Sequence, residues 1–175
     1  VAALCGESFL DDKVFKVLLG QLVNLFREGV PVRMSKRTGD MITLQEVMDE
    51  IGVDATRFFL VDRSPDTHVE FDLSLAKEQS SANPVYYIQY GHARICSIID
   101  FSNNAKPNIE HIGLLDKDQE IDLIKLIAQF PAVIESSASN LEPYMLLSYL
   151  QSAASLFHSY YNEHRIVTDD KLLTS

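Results

Sequence analysis

Apolar residues near the start of the chain form one dense run that predicts a β-hairpin. Across residues 15–26, apolar side chains occupy both odd and even positions, a pattern typical of a strand buried on both faces. Glu28 and Gly29 then predict a turn, and residues 30–34 a returning strand. A helix over residues 17–26 is the alternative, because a short apolar run fits both structures.

Short elements are expected between the hairpin and residue 82. Thr43 and Glu46 form a capping box at the start of a helix that Gly52 ends. Asp54 is the expected cap of a second helix. The remaining expected elements are a break at residues 63–66, an extended segment at 69–72 and a short helix at 73–80.

The second part of the chain is predicted to be helical throughout. Asn83 precedes Pro84, which is the pattern of an N-cap followed by proline at the first helical position. This helix is expected to run to about Asp100. We expect three isoleucines to form its core face: Ile88, Ile95 and Ile99.

Further helices are predicted downstream. One begins at Asp116 or Asp118, another at Pro131, and the longest at Glu142, which precedes a second proline. Together with the helix at Asn83 they predict an antiparallel bundle of about four helices. The expected fold class is therefore mainly α, with a short β-hairpin followed by an antiparallel α-helical bundle.

Composition narrows the possible functions. The chain has 175 residues and a net charge of −10, which excludes a nucleic-acid binder that relies on a general positive field. Any nucleic acid must be recognised locally, by stacking and base edges. Cys5 and Cys96 share no disulfide or metal spacing, so we expect two buried thiols in a reducing cytoplasm and no metal. No apolar run is long enough to cross a membrane.

A basic loop is the strongest local departure from this acidic composition. Three of the fifteen Lys and Arg residues lie within residues 33–37, together with Met34 and Ser35. Clustered positive charges repel one another unless an anion lies among them. A solvent-exposed basic turn is one interpretation, and a loop that receives phosphate oxygens is the other.

A second candidate site lies on the helix that begins at Asn83. Aromatic, amide and guanidinium groups fall on one stripe of this helix, with helical spacing. Such groups suit stacking on unpaired bases and reading their edges. The alternative is an amphipathic helix whose tyrosines only cover the edge of the core. The stripe consists of Tyr86, Gln89, Tyr90, Ala93 and Arg94.

The order of residues supports the site interpretations through a family resemblance. The loop sequence Arg-Met-Ser-Lys-Arg-Thr-Gly at residues 33–39 resembles the Lys-Met-Ser-Lys-Ser loop of class I aminoacyl-tRNA synthetases. Residues 53–59 resemble the segment that follows this loop in arginyl-tRNA synthetases. Residues 83–95 look like the opening helix of the anticodon-binding domain of that family, and residues 141–167 resemble its later helix pair.

The resemblance implies two domains of an arginyl-tRNA synthetase. Residues 1–82 would be the C-terminal end of the class I catalytic domain, and residues 83–175 the helical anticodon-binding domain. The full enzyme would join L-arginine to its tRNA with ATP and Mg²⁺, through an arginyl-adenylate, as a cytoplasmic monomer. Because the chain starts at Val1 and not Met, we expect a portion of a longer protein. The family usually continues past residue 175 into another apolar helix, so we also expect a truncated domain whose apolar surface is exposed where that helix is missing.

The resemblance also assigns roles to residues. Lys36 is the implied catalytic cation, which stabilises charge on the leaving phosphates. The implied ATP-binding residues are Arg33, Met34, Ser35, Lys36 and Arg37. The implied tRNA-binding residues are Asn83, Tyr86, Gln89, Tyr90, Arg94 and Tyr160, with His158 as a further candidate.

One departure from the family pattern limits these implications. The His-Ile-Gly-His type signature of class I enzymes is absent from the sequence. We therefore expect the chain to be catalytically inactive alone, with no tightly bound cofactor. Two other classes remain open. One is a stand-alone tRNA-binding helical module without catalysis, and the other is a helical interaction domain with structural tyrosines.

Overall fold

The computed structural model describes residues 17–32, 42–102, 106 and 108–168. A small three-stranded sheet with short helices is followed by three long helices. The elements of the first part are β1 (Val23–Arg27), β2 (Val30–Pro31), α1 (Leu44–Ile51), α2 (Val53–Val61), β3 (Val69–Asp72) and α3 (Leu73–Lys77). The second part contains α4 (Pro84–Phe101), a 3-10 helix (Ile109–Leu114), α5 (Asp118–Asn140) and α6 (Tyr144–Glu163).

The predicted hairpin is confirmed, and the helical alternative for residues 17–26 is wrong. β1 pairs antiparallel with β2, and Glu28 and Gly29 both adopt positive φ, of 50° and 75°. Positive φ at both central residues suits the twist of a two-residue hairpin. The strand is shorter than expected, because β1 begins only at Val23, where its pairing with β3 also begins.

The strand β1 is the central strand of the sheet, in the order β2-β1-β3. Its pairing with β3 is parallel, with Leu25 opposite Phe71. Parallel neighbours require a crossover connection, and here that connection carries α1 and α2. Both Leu25 and Phe71 are buried in the core beneath these helices.

Local capping signals are mostly confirmed. The N–H of Glu46 donates to Thr43 Oγ1 at 3.2 Å, and the N–H of Thr43 donates to Glu46 Oε2 at 2.7 Å. Gly52 ends α1 with φ of 87° and also stands at the N-cap of α2. The prediction that Asp54 caps α2 is therefore wrong, because the helix already begins at Val53 and Asp54 lies in its first turn.

One hydrophobic core joins the first part to the helices. Val85 of α4 belongs to the same buried cluster as the sheet residues, and Ile88 and Leu147 pack against it. Two polar bonds cross the same junction: Gln89 donates to Asp54 at 3.3 Å, and Gln151 donates to Asp62 at 3.1 Å. The buried cluster comprises Leu25, Val47, Ala55, Phe58, Phe59, Phe71, Leu73, Ala76 and Val85.

The helical part differs from the prediction in its number of helices. α5 continues through Pro131, so the prediction of a new helix at that residue is wrong. The ring of Phe130 stacks on Tyr149 of α6 at 5.3 Å, and such packing against α6 holds α5 continuous despite the proline. The described residues thus contain three long helices, of which α5 is the longest, and not the helix after Glu142.

Two further expectations about α4 are wrong. Ile95 and Ile99 are 41% and 49% exposed, whereas the close contact of α4 with α6 lies one turn earlier, around Gly91. Cys96 is an exposed free thiol and not a buried one, while Cys5 lies outside the described residues. No helix in the described part of the chain is long and apolar enough to cross a membrane.

Candidate functional site

Two tyrosines on successive turns of α4 present parallel rings. The centroids of Tyr86 and Tyr90 are 6.1 Å apart, with 8° between their planes. Tyr86 is half-buried, and Tyr90 is 43% exposed. Aromatic rings that are held parallel and partly exposed form a surface on which a planar base can stack.

Arg94 extends this aromatic surface with a planar cation. Its guanidinium carbon lies 4.8 Å from the ring centroid of Tyr90 and 4.4 Å from that of Tyr161. Its Nη2 also donates to the Tyr90 hydroxyl at 2.6 Å. Within the described ranges, Arg94 forms no ion pair with a carboxylate. The guanidinium is therefore fixed in place and keeps its charge available for an anionic or polar ligand.

Helix α6 supports this surface from below through His158. Its ring is buried and lies 5.6 Å from the Tyr90 ring, with 18° between the planes. The close approach depends on Gly91, because a Cβ there would lie 3.3 Å from His158 Nε2. Gly91 therefore leaves room for the imidazole to lie close to the backbone of α4.

Two clefts flank the Tyr90–Arg94 pair. The smaller has a volume of about 360 Å³ and is lined by Tyr86, His158 and hydroxyl and amide groups from residues 79–81. The larger, about 790 Å³, lies between the end of α4 and residues 161–167. Tyr90, Arg94 and Asn162 line both clefts. The Tyr90 ring, the Arg94 guanidinium and the Asn162 amide thus line clefts that are large enough to hold a base.

The predicted tRNA-binding residues lie in four different environments. Tyr86, Tyr90 and Arg94 are brought together on the exposed face of α4. Gln89 is exposed beside them, but its amide donates to Asp54 of α2. Asn83 is only 4% exposed, and its side chain caps α4 while donating to two backbone carbonyls, those of residues 76 and 78.

Tyr160 lies in a different environment, between α6 and the start of α5. Its hydroxyl donates to Glu120 Oε1 at 2.7 Å. Burial, together with this bond to a carboxylate, raises the pKa of Tyr160 well above its ordinary value. Burial opposes ionisation of Glu120, but hydrogen bonds from Tyr160 and from the N–H of Lys117 hold its pKa below the ordinary value.

Sequence reasoning missed Tyr161 and Asn162 as parts of this surface. They follow His158 by three and four positions, the spacing that places residues on one helical face. The spacing indicates that these residues share one face of α6, but it does not show that this face packs against α4.

The basic loop lies outside the described residues. The catalytic role of Lys36 and the ATP-binding roles of Arg33, Met34, Ser35 and Arg37 therefore stay predictions. The two described residues that bracket the loop, Val32 and Ile42, both pack against the core. Val32 and Ile42 thus lie beside the core, and α1 begins two residues after Ile42.

Comparison with known proteins identifies the second part of the chain. Residues 88–174 match the DALR anticodon binding domain family. An arginine–tRNA ligase of Staphylococcus epidermidis is 46% identical over 168 residues, which cover 94% of this chain and 30% of that protein. An arginine–tRNA ligase of Caldanaerobacter subterraneus subsp. tengcongensis is 51% identical over 162 residues, or 90% of this chain and 29% of that protein. The chain thus spans about 30% of the length of the curated relatives it matches.

Solved structures agree with the sequence comparisons. A Campylobacter jejuni protein assigned as an arginyl-tRNA synthetase superposes with a TM-score of 0.79 at 30% identity, over 94% of this chain and 38% of that one. The arginyl-tRNA synthetase of Thermus thermophilus gives a TM-score of 0.66 over 86% of this chain and 29% of that one, and at 18% identity it supports the fold alone. Residues 88–174 therefore belong to the DALR anticodon-binding domain family, and the chain as a whole is a relative of the C-terminal portion of arginyl-tRNA synthetases.

Proposed function

We propose that this chain is the part of a cytoplasmic arginine–tRNA ligase that binds the anticodon region of arginine-specific tRNA and supplies one loop of the ATP site. The observation that carries the proposal is the stacked, partly exposed pair Tyr86 and Tyr90 with Arg94 beside it. Tyr90 and Arg94 lie within the matched anticodon-binding domain at residues 88–174, and Tyr86 lies just before it. Unpaired anticodon bases would stack on the Tyr90 ring while Arg94 contacts a base edge or phosphate.

The acidic charge of the chain shapes how this binding would work. With a net charge of −10, phosphate attraction over the whole surface is unfavourable, so affinity must come from local contacts. Stacking of one base on an aromatic side chain contributes about 1–3 kcal/mol. Two or three such contacts suffice to discriminate between anticodons, while the rest of the enzyme would contribute further affinity.

The basic loop would serve the adenylation step in the whole enzyme. In that step the arginine carboxylate would attack the α-phosphorus of ATP and pyrophosphate would leave, and Mg²⁺ would help to neutralise the phosphate charge. Lys36 would stabilise the charge that develops on the leaving phosphates, assisted by Ser35. Arg33 and Arg37 would retain positive charge around them, although a planar guanidinium is not equivalent to an ammonium group.

A fluorescence titration tests the tRNA assignment. Labelled arginine tRNA and a matched transcript with a substituted anticodon are titrated separately with the chain. We expect at least about tenfold tighter binding to the arginine tRNA, since one lost stacking or edge contact has that effect. Equal affinity for the two transcripts would remove the anticodon assignment.

A stand-alone tRNA-binding module without catalysis would bind tRNA in the same way. A different observation is therefore needed to distinguish it from a part of the ligase. If the gene encodes a His-Ile-Gly-His type motif upstream of Val1, the chain is part of the ligase. The chain by itself is expected to bind ATP only weakly, because one loop of a nucleotide site offers few contacts. Micromolar ATP affinity by calorimetry would contradict that expectation.

A further inference from the structure

His158 is an imidazole side chain buried at the contact between α4 and α6. It is 7% exposed, and its Nε2 lies 3.2 Å from the main-chain oxygen of Tyr87. Because a carbonyl oxygen can only accept, Nε2 is the donor and carries the proton. The interaction fixes the imidazole against one turn of α4, next to Gly91.

The imidazole also forms one layer of an aromatic stack. Tyr86, Tyr90 and His158 lie in nearly parallel planes, with interplanar angles of 8° and 18° between neighbours. Tyr87 contacts the same imidazole at 4.5 Å with a tilt of 46°. The plane of the exposed Tyr90 ring therefore follows the plane of a buried ring that is itself hydrogen-bonded to the backbone.

The His158 side chain therefore has two distinct roles. The Nε2–H joins α6 to α4, and the ring plane supports Tyr90 from beneath. A ring without the donor would still support Tyr90, whereas a donor without the ring would still join the helices. The two tasks can therefore be removed one at a time.

We propose that His158 is a positioning residue for RNA binding, which holds the Tyr90 ring in the plane on which an unpaired base stacks. This inference rests on the proposed function of the Tyr90 face. An unsupported Tyr90 would rotate among rotamers, and ordering it again would weaken each binding event.

Two substitutions test the proposal. His158→Gln keeps an N–H the same number of bonds from Cβ but removes the ring, and His158→Phe keeps a ring but removes the donor. We expect His158→Gln to retain most of the thermal midpoint and to lose about tenfold in the preference for arginine tRNA over the anticodon-substituted transcript. We expect His158→Phe to lower the midpoint and to retain the preference.

Ser159→Ala, at the neighbouring exposed position on α6, is the matched control and should change neither quantity. If His158 has a purely structural role, the variant with the lower thermal midpoint should also show the greater loss of preference. That result would overturn the proposal. Retained preference in His158→Gln would overturn it as well.

Tyrosine ring NMR signals supply a readout that does not depend on RNA, with the Tyr90 signal assigned through Tyr90→Phe. His158→Gln should move the Tyr90 signal toward that of a solvent-exposed tyrosine, and His158→Phe should keep it in the environment of a stacked ring. An unchanged Tyr90 signal in His158→Gln contradicts the positioning role. If the parent chain fails to distinguish the two transcripts, the proposed function fails, and the NMR comparison still decides the role of His158.

Discussion

At the scale of single residues, tyrosines in the helical part perform two different tasks. Tyr90 leaves 43% of its surface exposed beside Arg94, whereas Tyr160 directs its hydroxyl to the buried Glu120. The family resemblance implied a tRNA-binding role for both, because a resemblance matches positions along the chain and does not show what each side chain packs against. The spacing was sufficient for Tyr86, Tyr90 and Arg94, which lie on one helix.

Tyr160→Phe tests the structural task. Removing the hydroxyl takes one hydrogen bond from a buried carboxylate and should destabilise the chain by about 1 kcal/mol at neutral pH. It should leave the preference for arginine tRNA unchanged. Urea unfolding measures the stability change, and the tRNA titration measures the preference. A lost preference would mean that Tyr160 contributes to tRNA binding after all.

The same variant has a defined pH dependence. The pKa of Glu120 is lowered from 4.5 in the folded chain, so the unfolded chain binds its proton more readily. The stabilisation from this carboxylate is present above pH 4.5 and is lost as the pH falls through the lowered pKa. The difference in stability between parent and Tyr160→Phe should therefore shrink in acid, and a constant difference would contradict the assignment.

At the scale of elements, local signals predicted helix starts better than helix continuity. Thr43 and Asn83 cap their helices as expected, because capping is decided within one turn. Pro131 was misread because its local preference for a first helical position is overridden by packing of α5 on α6. The exposed Ile95 and Ile99 were misread because the position of a partner helix is not encoded in spacing alone.

Pro131→Ala tests the continuity of α5. A proline inside a helix lacks the N–H that would bond to the preceding turn and costs about 3 kcal/mol relative to alanine. We expect the substitution to raise the free energy of unfolding by about 1–3 kcal/mol. Pro143→Ala, at the N-terminal cap position of α6, should change it far less. A destabilised Pro131→Ala chain would mean that the proline ring is required where it stands.

At the scale of the whole molecule, α2 lies between the sheet part and the long helices of the second part. Its two ends are bonded to α4 through Asp54 and to α6 through Asp62. Val85, Ile88 and Leu147 bring the helices into the same core as the sheet. The sequence could not predict this junction, because none of these residues forms a local pattern with its partner.

Asp62→Asn tests the electrostatics of the junction. Burial raises the pKa of Asp62 above 3.8, although Arg63 and Gln151 partly offset it. The folded chain thus holds this proton more tightly than the unfolded chain, so the carboxylate costs stability at neutral pH and that cost disappears as the pH falls through the raised pKa toward 3.8. An asparagine oxygen can still accept the bond from Gln151.

We therefore expect Asp62→Asn to be more stable than the parent at pH 7 and equal to it in acid, as measured by urea unfolding. Asp54→Asn, at the exposed bond with Gln89, is the matched control and should show little change. A less stable Asp62→Asn chain at pH 7 would mean that the ionised form is required at the junction.

The most direct test of the central claim is the preference of Tyr90→Ala for arginine tRNA over the anticodon-substituted transcript, measured together with its thermal midpoint. Tyr90 leaves 43% of its surface exposed on α4, so the midpoint should change little. If Tyr90 is the stacking surface for an anticodon base, the preference should fall by about tenfold or more. A lowered midpoint with an unchanged preference would show that Tyr90 has only a structural role and would contradict the account.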